Sequence, residues 1–352
     1  REINAAENRK SATIMTSRGC PYRCTYCSSH TIHGRKMRYR SVDSVINEIK
    51  ALNQKYGVTL LIPEDDMFTL PNARAIEMLT KIAELKIHDM EIQFPNALSI
   101  NNLNENVMEK LIEAGMKIAN LAIESGSNYI QRNVIKKNCN LQKAKSVVKY
   151  LKSKGVITRC YFIFGFFSET REQMFESIEY AKALGADWTV FFIAIPLIGS
   201  EMHDQFKNAG YISDDMGSWL NAHSMERNFD TAEISATELK NMVYLANLQC
   251  NFINNPRKIE GDYEKAIEIF HDIVTKYPFH IIGWHSMMEC YNKLNNFVEA
   301  EKIEKKIEEL VGSDKRAIEM LQKYGYLIPE FSKKWAEKQV GKQTPDEKTY
   351  AC

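Results

Sequence analysis

Ser17-Arg-Gly-Cys20-Pro-Tyr-Arg-Cys24-Thr-Tyr-Cys27 decides how this chain is read. Three cysteines, separated by three and then two residues, follow the strand-like run Ala12-Thr-Ile-Met-Thr16. Thiolates are soft ligands suited to zinc or to iron–sulfur clusters. A cubane cluster ordinarily takes four cysteines, so three would leave one iron open to a ligand that is not protein. The alternative is a structural zinc site in which His30, a further two-residue spacing on, completes a Cys3His set. The loop stands at the head of a long β/α alternation and not in a finger-sized module, which favours the cluster.

Outward from the loop, strand-like runs are expected at 12–16, 58–62, 91–94, 118–123, 158–164 and 188–195. Helical patterns fall between and after them, near 42–56, 72–86, 104–114, 141–154, 170–184 and 201–209. Asn140 is placed to cap one helix, and Thr170 with Gln173 forms a capping box for the next. Gly57, Gly115, Gly155, Gly185 and Gly210 stand where helices must stop. The alternation predicts an α/β fold with a parallel sheet, either a barrel or an open doubly wound sheet. Both architectures gather functional groups at the carboxyl ends of the strands.

The cysteine spacing, with the aromatic Tyr26 just before the third cysteine, resembles the radical S-adenosylmethionine (SAM) superfamily. The resemblance implies a partial (β/α)6 TIM-type barrel over residues 11–210. It also implies a 4Fe–4S cluster on Cys20, Cys24 and Cys27, with Tyr26 among the cofactor-contacting groups. SAM would chelate the open iron through its amino and carboxylate groups. One-electron reduction then cleaves SAM to a 5′-deoxyadenosyl radical, chemistry that belongs to the cofactors while the protein positions them.

Three further stretches sit at strand ends. Glu64-Asp65-Asp66 follows the second strand; three adjacent carboxylates cannot all be buried cheaply, so they should face water, cations or a ligand. Turn capping before Pro71 is the plainer reading; the resemblance implies a hold on the SAM amino group. Glu124-Ser125-Gly126-Ser127 ends the fourth strand and is similar to the family's ribose- and methionine-contacting motif. Gly126 would let backbone approach a ligand. Twelve residues after Glu124, Lys136 stands where related enzymes place a base on the SAM carboxylate, with Lys137 beside it. Gly165, in Phe164-Gly-Phe-Phe-Ser-Glu169-Thr170, is similar to the family's adenine motif, with Phe167 replacing the usual proline. Pro196-Leu-Ile-Gly199-Ser200 resembles a second adenine-shaping turn.

A net charge of +1 over 352 residues leaves no electrostatic footprint for nucleic acid. No apolar run approaches the ~20 residues of a membrane span, and cysteine usage fits a reducing cytoplasm. Residues 1–10 read as a linker, and a chain beginning at Arg1 is expected to be part of something longer. Residues 211–258 read as a lid or connecting segment, including Trp219 and a helix opened by Ser235-Ala-Thr-Glu238. From 259 to 328, Gly261-Asp-Tyr263-x-x-Ala266 returns as Asn295-Asn-Phe297-x-x-Ala300, 34 residues on, which resembles a tetratricopeptide pair. Residues 329–352 read as a mobile tail.

Within the superfamily the motifs look most like the cobalamin-dependent branch. Cobalamin would then be held by a domain absent from this chain. The expected activity is methylation or rearrangement of an unreactive carbon in a small molecule. A flavodoxin or ferredoxin would donate electrons, and a protein partner would bind the helical repeats. A stand-alone radical SAM oxidoreductase and a methylthiotransferase-like enzyme are the enzymatic alternatives. A tetratricopeptide interaction protein with a Cys3His zinc site is the non-enzymatic one.

Overall fold

The computed structural model describes residues 9–213 and 225–340. Trp219, most of the N-terminal linker and residues 341–352 lie outside the described residues. The chain divides into two compact units, Arg1–Cys250 and Asn251–Cys352.

In the first unit, β1 (Lys10–Ile14) leads into a small ribbon, β2 (Ser17–Arg18) with β3 (Arg38–Tyr39), that brackets the cysteines and the short helix α1 (Ser29–His33). Then follow α2 (Val42–Tyr56), β4 (Val58–Pro63), α3 (Asn72–Glu84), β5 (Glu91–Ile92), β6 (Leu98–Ser99) and α4 (Glu105–Glu113). The remaining elements are β7 (Ile118–Glu124), α5 (Leu141–Ser153), β8 (Ile157–Phe164), α6 (Arg171–Leu184), β9 (Trp188–Ile193), α7 (Glu201–Asn208) and α8 (Ala236–Leu248). The helices match the predicted ones to within two residues, because their ends are set by local chemistry. Asn140 accepts from Lys143 N–H, both halves of the Thr170–Gln173 box form, and Gly57 and Gly185 close α2 and α6 in the left-handed region. The Ser235–Glu238 box also forms.

All the long strands run parallel, as two sheets ordered β1-β4-β5 and β6-β7-β8-β9. No closed ring of strands forms among the described residues, which agrees with a partial barrel. Three expected strand ends move, β9 stopping at Ile193, and in the other two a side chain takes a ladder position. β1 stops at Ile14 because Thr16 N–H is bonded to the Asp65 carboxylate at 2.8 Å. The expected third strand splits: Gln93 N–H still reaches Leu61 O, but Asn120 Nδ2 donates to Phe94 O, and the chain resumes as β6 beside β7. Between the strands and helices lies one apolar core, with Leu61, Met78, Ile92, Leu121, Phe162 and Phe191 almost fully buried. The seam between the sheets is closed at Gly115, whose carbonyl accepts from Ile92 N–H at 3.3 Å.

The second unit contains α9 (Pro256–Glu260), α10 (Tyr263–Lys276), α11 (Ile281–Lys293), α12 (Phe297–Ser313), α13 (Lys315–Tyr324) and α14 (Pro329–Val340). α11 packs against both α10 and α12, and the repeat-related Ala266 and Ala300 are both buried. His280 caps α11 by accepting from Gly283 N–H. The segment after Pro329, expected as a tail, is helical through Val340 and buries Phe331. Among the described residues no helix is long and apolar enough to cross a membrane.

Gly115 has φ +104°, and an added Cβ would stand 2.3 Å from Met90 O and 3.2 Å from Glu91 Cα. Gly115→Ala is therefore expected to destabilise the fold by about 2 kcal/mol or more, since backbone strain and a clash with backbone act together. Urea denaturation against Gly155→Ala, also at positive φ but with open space around it, separates the clash from the strain.

Candidate functional site

The cysteine loop is held from below by the end of β4. Asp65, 4% exposed, accepts from Thr16 N–H at 2.8 Å, Thr16 Oγ1–H at 2.6 Å and Ser17 Oγ–H at 2.5 Å. Asp66 accepts from Gly19 N–H at 3.2 Å and Ser29 Oγ–H at 2.5 Å, and its Oδ2 lies 2.8 Å from His33 Nδ1. Adjacent residues leaving a strand point to opposite sides, so the two carboxylates serve different parts of one loop. At its far side the loop is pinned at Thr25, which donates through N–H to Ile135 O and through Oγ1 to Val134 O, and whose carbonyl accepts from Met202 N–H. Gly199 leaves room for Thr31, whose Cγ2 would be 2.7 Å from a Cβ there, so the turn after β9 packs on the loop.

Cys20, Cys24 and Cys27 line a cavity of about 290 Å³ at the carboxyl ends of the strands, together with Tyr26, Asp65, Asp66, Phe94, Glu124 and Lys137. Burial raises the Cys20 thiol and pushes Cys24 up to about 11; the Lys137 ammonium pulls both the other way. Among the described residues no three Cys, His, Asp or Glu side chains converge on a point that could hold one metal ion. A cubane attaches each thiolate to a different iron, so it needs wider spacing than the single tetrahedral shell of zinc. His30, which a zinc site would need, is absent from the cavity wall. The donor set fits a cluster better than an ion.

Opposite the cysteines stands a buried ion pair. Lys137 Nζ lies 2.7 Å from Glu124 Oε1, and Tyr26 O–H donates to the same oxygen at 3.0 Å. Burial disfavours the Lys137 ammonium, but Glu124 more than offsets it and the pKa is raised. Burial and Glu124 together raise Tyr26 well above its ordinary value. Glu124 reaches this position because β7 bulges against β8 between Ala122 and Glu124, with φ +72° at Glu124. A bulge re-aims a side chain in this way.

Several expected site residues stand elsewhere. Lys136 turns outward at φ +53° and pairs with Glu201 at 2.6 Å, half-exposed; its neighbour Lys137 is the cation of the cavity. Ser125 is fully buried against Ser177 Oγ at 3.1 Å, away from the cavity wall. Gly126 admits helix α6 and not a ligand: a Cβ would lie 2.8 Å from Ser177 Cα and 2.5 Å from Tyr180 Cβ. Gly165 has φ +81° and faces Leu239 and Arg227. Glu64 lies off the cavity wall, meeting Asn96 Nδ2 at 3.4 Å. Sequence reasoning missed Gln131, whose Nε2 donates to both Ile123 O and Ser125 O and so braces Glu124 from either side.

The Gly165 turn is held by Glu169, which accepts from Gly165 and Phe166 N–H at 2.7 and 3.1 Å while its Oε1 has no hydrogen-bond partner among the described residues. Burial pushes its carboxyl up to about 8, opposed by those N–H groups and Arg227. The folded pKa lies above the unfolded one, so its contribution to stability is complete below about pH 4.5 and is lost as pH rises through about 8. Glu169→Gln, which keeps an acceptor for both N–H groups, should gain on wild type as pH rises across that window. Urea melts at pH 6 and pH 9 check this.

Asp65→Ala leaves one buried N–H and two hydroxyls without their acceptor. It should cost about 2–3 kcal/mol in a urea melt and lower the iron bound after anaerobic reconstitution. Glu64→Ala should lie within about 0.5 kcal/mol of wild type.

Residues 14–181 match the family model described as the radical SAM superfamily. The chain is 36% identical over 189 residues to an uncharacterised methyltransferase of Pyrococcus horikoshii, covering 54% of this chain and 40% of that protein. It is 30% identical over 205 residues to the cytidylyl-2-hydroxyethylphosphonate methyltransferase of Streptomyces wedmorensis, covering 56% and 38%. The chain thus spans about two fifths of the length of these curated relatives. Among solved structures, the fold is similar to the radical SAM methyltransferase TsrM of Kitasatospora setae, determined with cobalamin and a [4Fe-4S] cluster bound. The TM-score is 0.51 at 20% identity, over 56% of this chain and 37% of that one. The segment that resembles this family contains Cys20, Cys24 and Cys27, the cavity they line and the Glu124–Lys137 pair.

Proposed function

We propose that this chain is the SAM-cleaving part of a cobalamin-dependent radical SAM enzyme that methylates or rearranges an unreactive carbon of a small molecule. The observation that carries this reading is the meeting of three thiols and the Glu124–Lys137 pair on one cavity at the strand ends. Cys20, Cys24 and Cys27 would hold a 4Fe–4S cluster, which when bound supplies the electron for reductive cleavage of SAM. Lys137 is the buried cation available to a ligand carboxylate, and Glu124 the acceptor available to a ribose hydroxyl. In the protein alone these two satisfy each other, so SAM would exchange a protein–protein ion pair for two ligand contacts. Tyr26 backs Glu124 and lies against Phe166, with ring centroids 5.6 Å apart, joining the cysteine loop to the end of β8.

Methyl transfer is supported by the relatives named above, and cobalamin by the motifs that resemble that branch. The cobalamin itself would be held by a segment outside this chain. The 34-residue helical repeat of the second unit supports a tetratricopeptide-like surface for a protein partner.

Anaerobic reconstitution should give about one cluster per chain, with its brown absorbance lost in Cys20→Ala, Cys24→Ala and Cys27→Ala. Stoichiometric zinc without cluster absorbance would overturn the reading. In calorimetric titration of the reconstituted protein with SAM, Lys137→Ala should weaken binding by about tenfold or more, the loss of one charge-assisted contact. Lys136→Ala should bind SAM as wild type does.

A further inference from the structure

Helix α5 and the segment leading into it carry charge of one sign. Between Glu124 and Glu169 the sequence holds Lys and Arg but not a single Asp or Glu, in a chain that balances 46 basic against 45 acidic residues. Two of these cations have an anion at hand: Lys137 pairs with Glu124 and Lys136 with Glu201. Arg132 and Lys145 are exposed and form no ion pair among the described residues. Both stand on the wall of a second cavity, of about 580 Å³, and none of its lining residues lines the cysteine cavity.

The buried part of this wall is satisfied within the protein. Gln131 donates through Nε2 to Ile123 O and Ser125 O, and its Oε1 accepts from Cys139 N–H at 3.1 Å. Tyr180 O–H donates to Leu141 O at 2.7 Å, and Lys145 Nζ lies 5.7 Å from the centre of the Tyr180 ring. A ring face steadies an ammonium without neutralising it. The wall is thus fixed in place while its two cations lack an anion. The other exposed polar groups on it, Asn128, Asn138, Asn140 and Gln142, are neutral amides, and no carboxylate stands among the lining residues.

This lining selects its ligand. A cation would be repelled by two like charges, and an apolar body would strip water from charges and amides without replacing it. A carboxylate brings one charge against two. A phosphate brings about two negative charges at neutral pH and three strong acceptor oxygens. An arginine fork beside a lysine point charge matches that group. The cavity falls within the range of small-molecule sites, about 300–1,000 Å³, and exceeds what one phosphate fills, which leaves the amides for hydroxyl groups.

We infer that this cavity binds a phosphate-bearing, hydroxyl-rich small molecule through Arg132 and Lys145. The site is separate from the cysteine cavity and stands whether or not the three thiols hold a cluster.

The test is calorimetric titration of the full chain, without reconstitution, using inorganic pyrophosphate as a probe that carries the phosphate chemistry alone. Saturable binding is expected, weakened about tenfold or more in Arg132→Gln and in Lys145→Gln, each the loss of one charge-assisted contact. Both side chains are exposed, so neither change should disturb the fold. Arg132→Lys, which keeps the charge and loses the fork, should also bind more weakly than wild type. Lys154→Gln, at the other end of α5 and off the wall, should bind as wild type does. An equal loss in Lys154→Gln would mean a diffuse basic surface and overturn the proposal. No saturation up to millimolar pyrophosphate, or an affinity indifferent to Arg132 and Lys145, overturns it as well. So does binding of a single-stranded RNA oligonucleotide or of phosphatidylserine vesicles through the same two residues where pyrophosphate does not bind.

Discussion

Two neighbouring carboxylates at the end of β4 take hold of the cysteine loop, and the remainder of the site is arranged around that grip. Asp65 fixes the chain where it leaves β1, and Asp66 fixes Gly19, Ser29 and His33 on both sides of the cysteines. Hydrogen bonds to a charged acceptor are worth about 1.5–3 kcal/mol each, enough to set against the entropy of ordering a loop. The thiols are therefore brought together by protein alone. Acidity at this strand end, which a sequence suggests is there for a ligand, is spent mostly on the loop.

The charged groups of the cavity are hydrogen-bonded or paired without any cofactor. Asp65 and Asp66 are satisfied by hydroxyls, N–H groups and His33, while Glu124 and Lys137 satisfy each other. Replacing protons by metal at thiols that burial holds as high as about 11 at Cys24 makes assembly favour higher pH. Lys137 works in the same direction as the metal, since its charge favours the thiolate. One buried cation thus acts on both the Cys24 thiol and the Glu124 carboxylate, and its adjacency to both limits how far the site can be rearranged.

What was legible in the sequence was what local chemistry decides. Caps at Asn140, Thr170 and Ser235 fixed helix starts, and the spacing of Cys20, Cys24 and Cys27 identified the loop. What escaped depended on partners far along the chain. Thr16 leaves the first strand because of Asp65, 49 residues on. Ser125 and Gly126 read as ligand contacts until Ser177 and Tyr180 come against them. Lys136 and Lys137 are chemically equivalent in sequence, and a positive φ at the first decides which one enters the cavity.

Glu124 is held in a conformation that L-residues avoid, at a cost of about 1–3 kcal/mol. The restraints on it come from both sides. Gln131 Nε2 takes the carbonyls of Ile123 and Ser125, and Ser177 takes Ser125 Oγ and Gly126 N–H. Gly126 permits this only because, without a Cβ, α6 approaches close enough to deliver Ser177. Relaxing Glu124 would straighten the bulge in β7, withdraw the carboxylate from Lys137 and leave a buried ammonium unpaired, which costs more than the strain. The ion pair and the strained backbone therefore maintain each other. The motif Glu-Ser-Gly-Ser is at once a packing device for α6 and the means by which a carboxylate is aimed at the cavity.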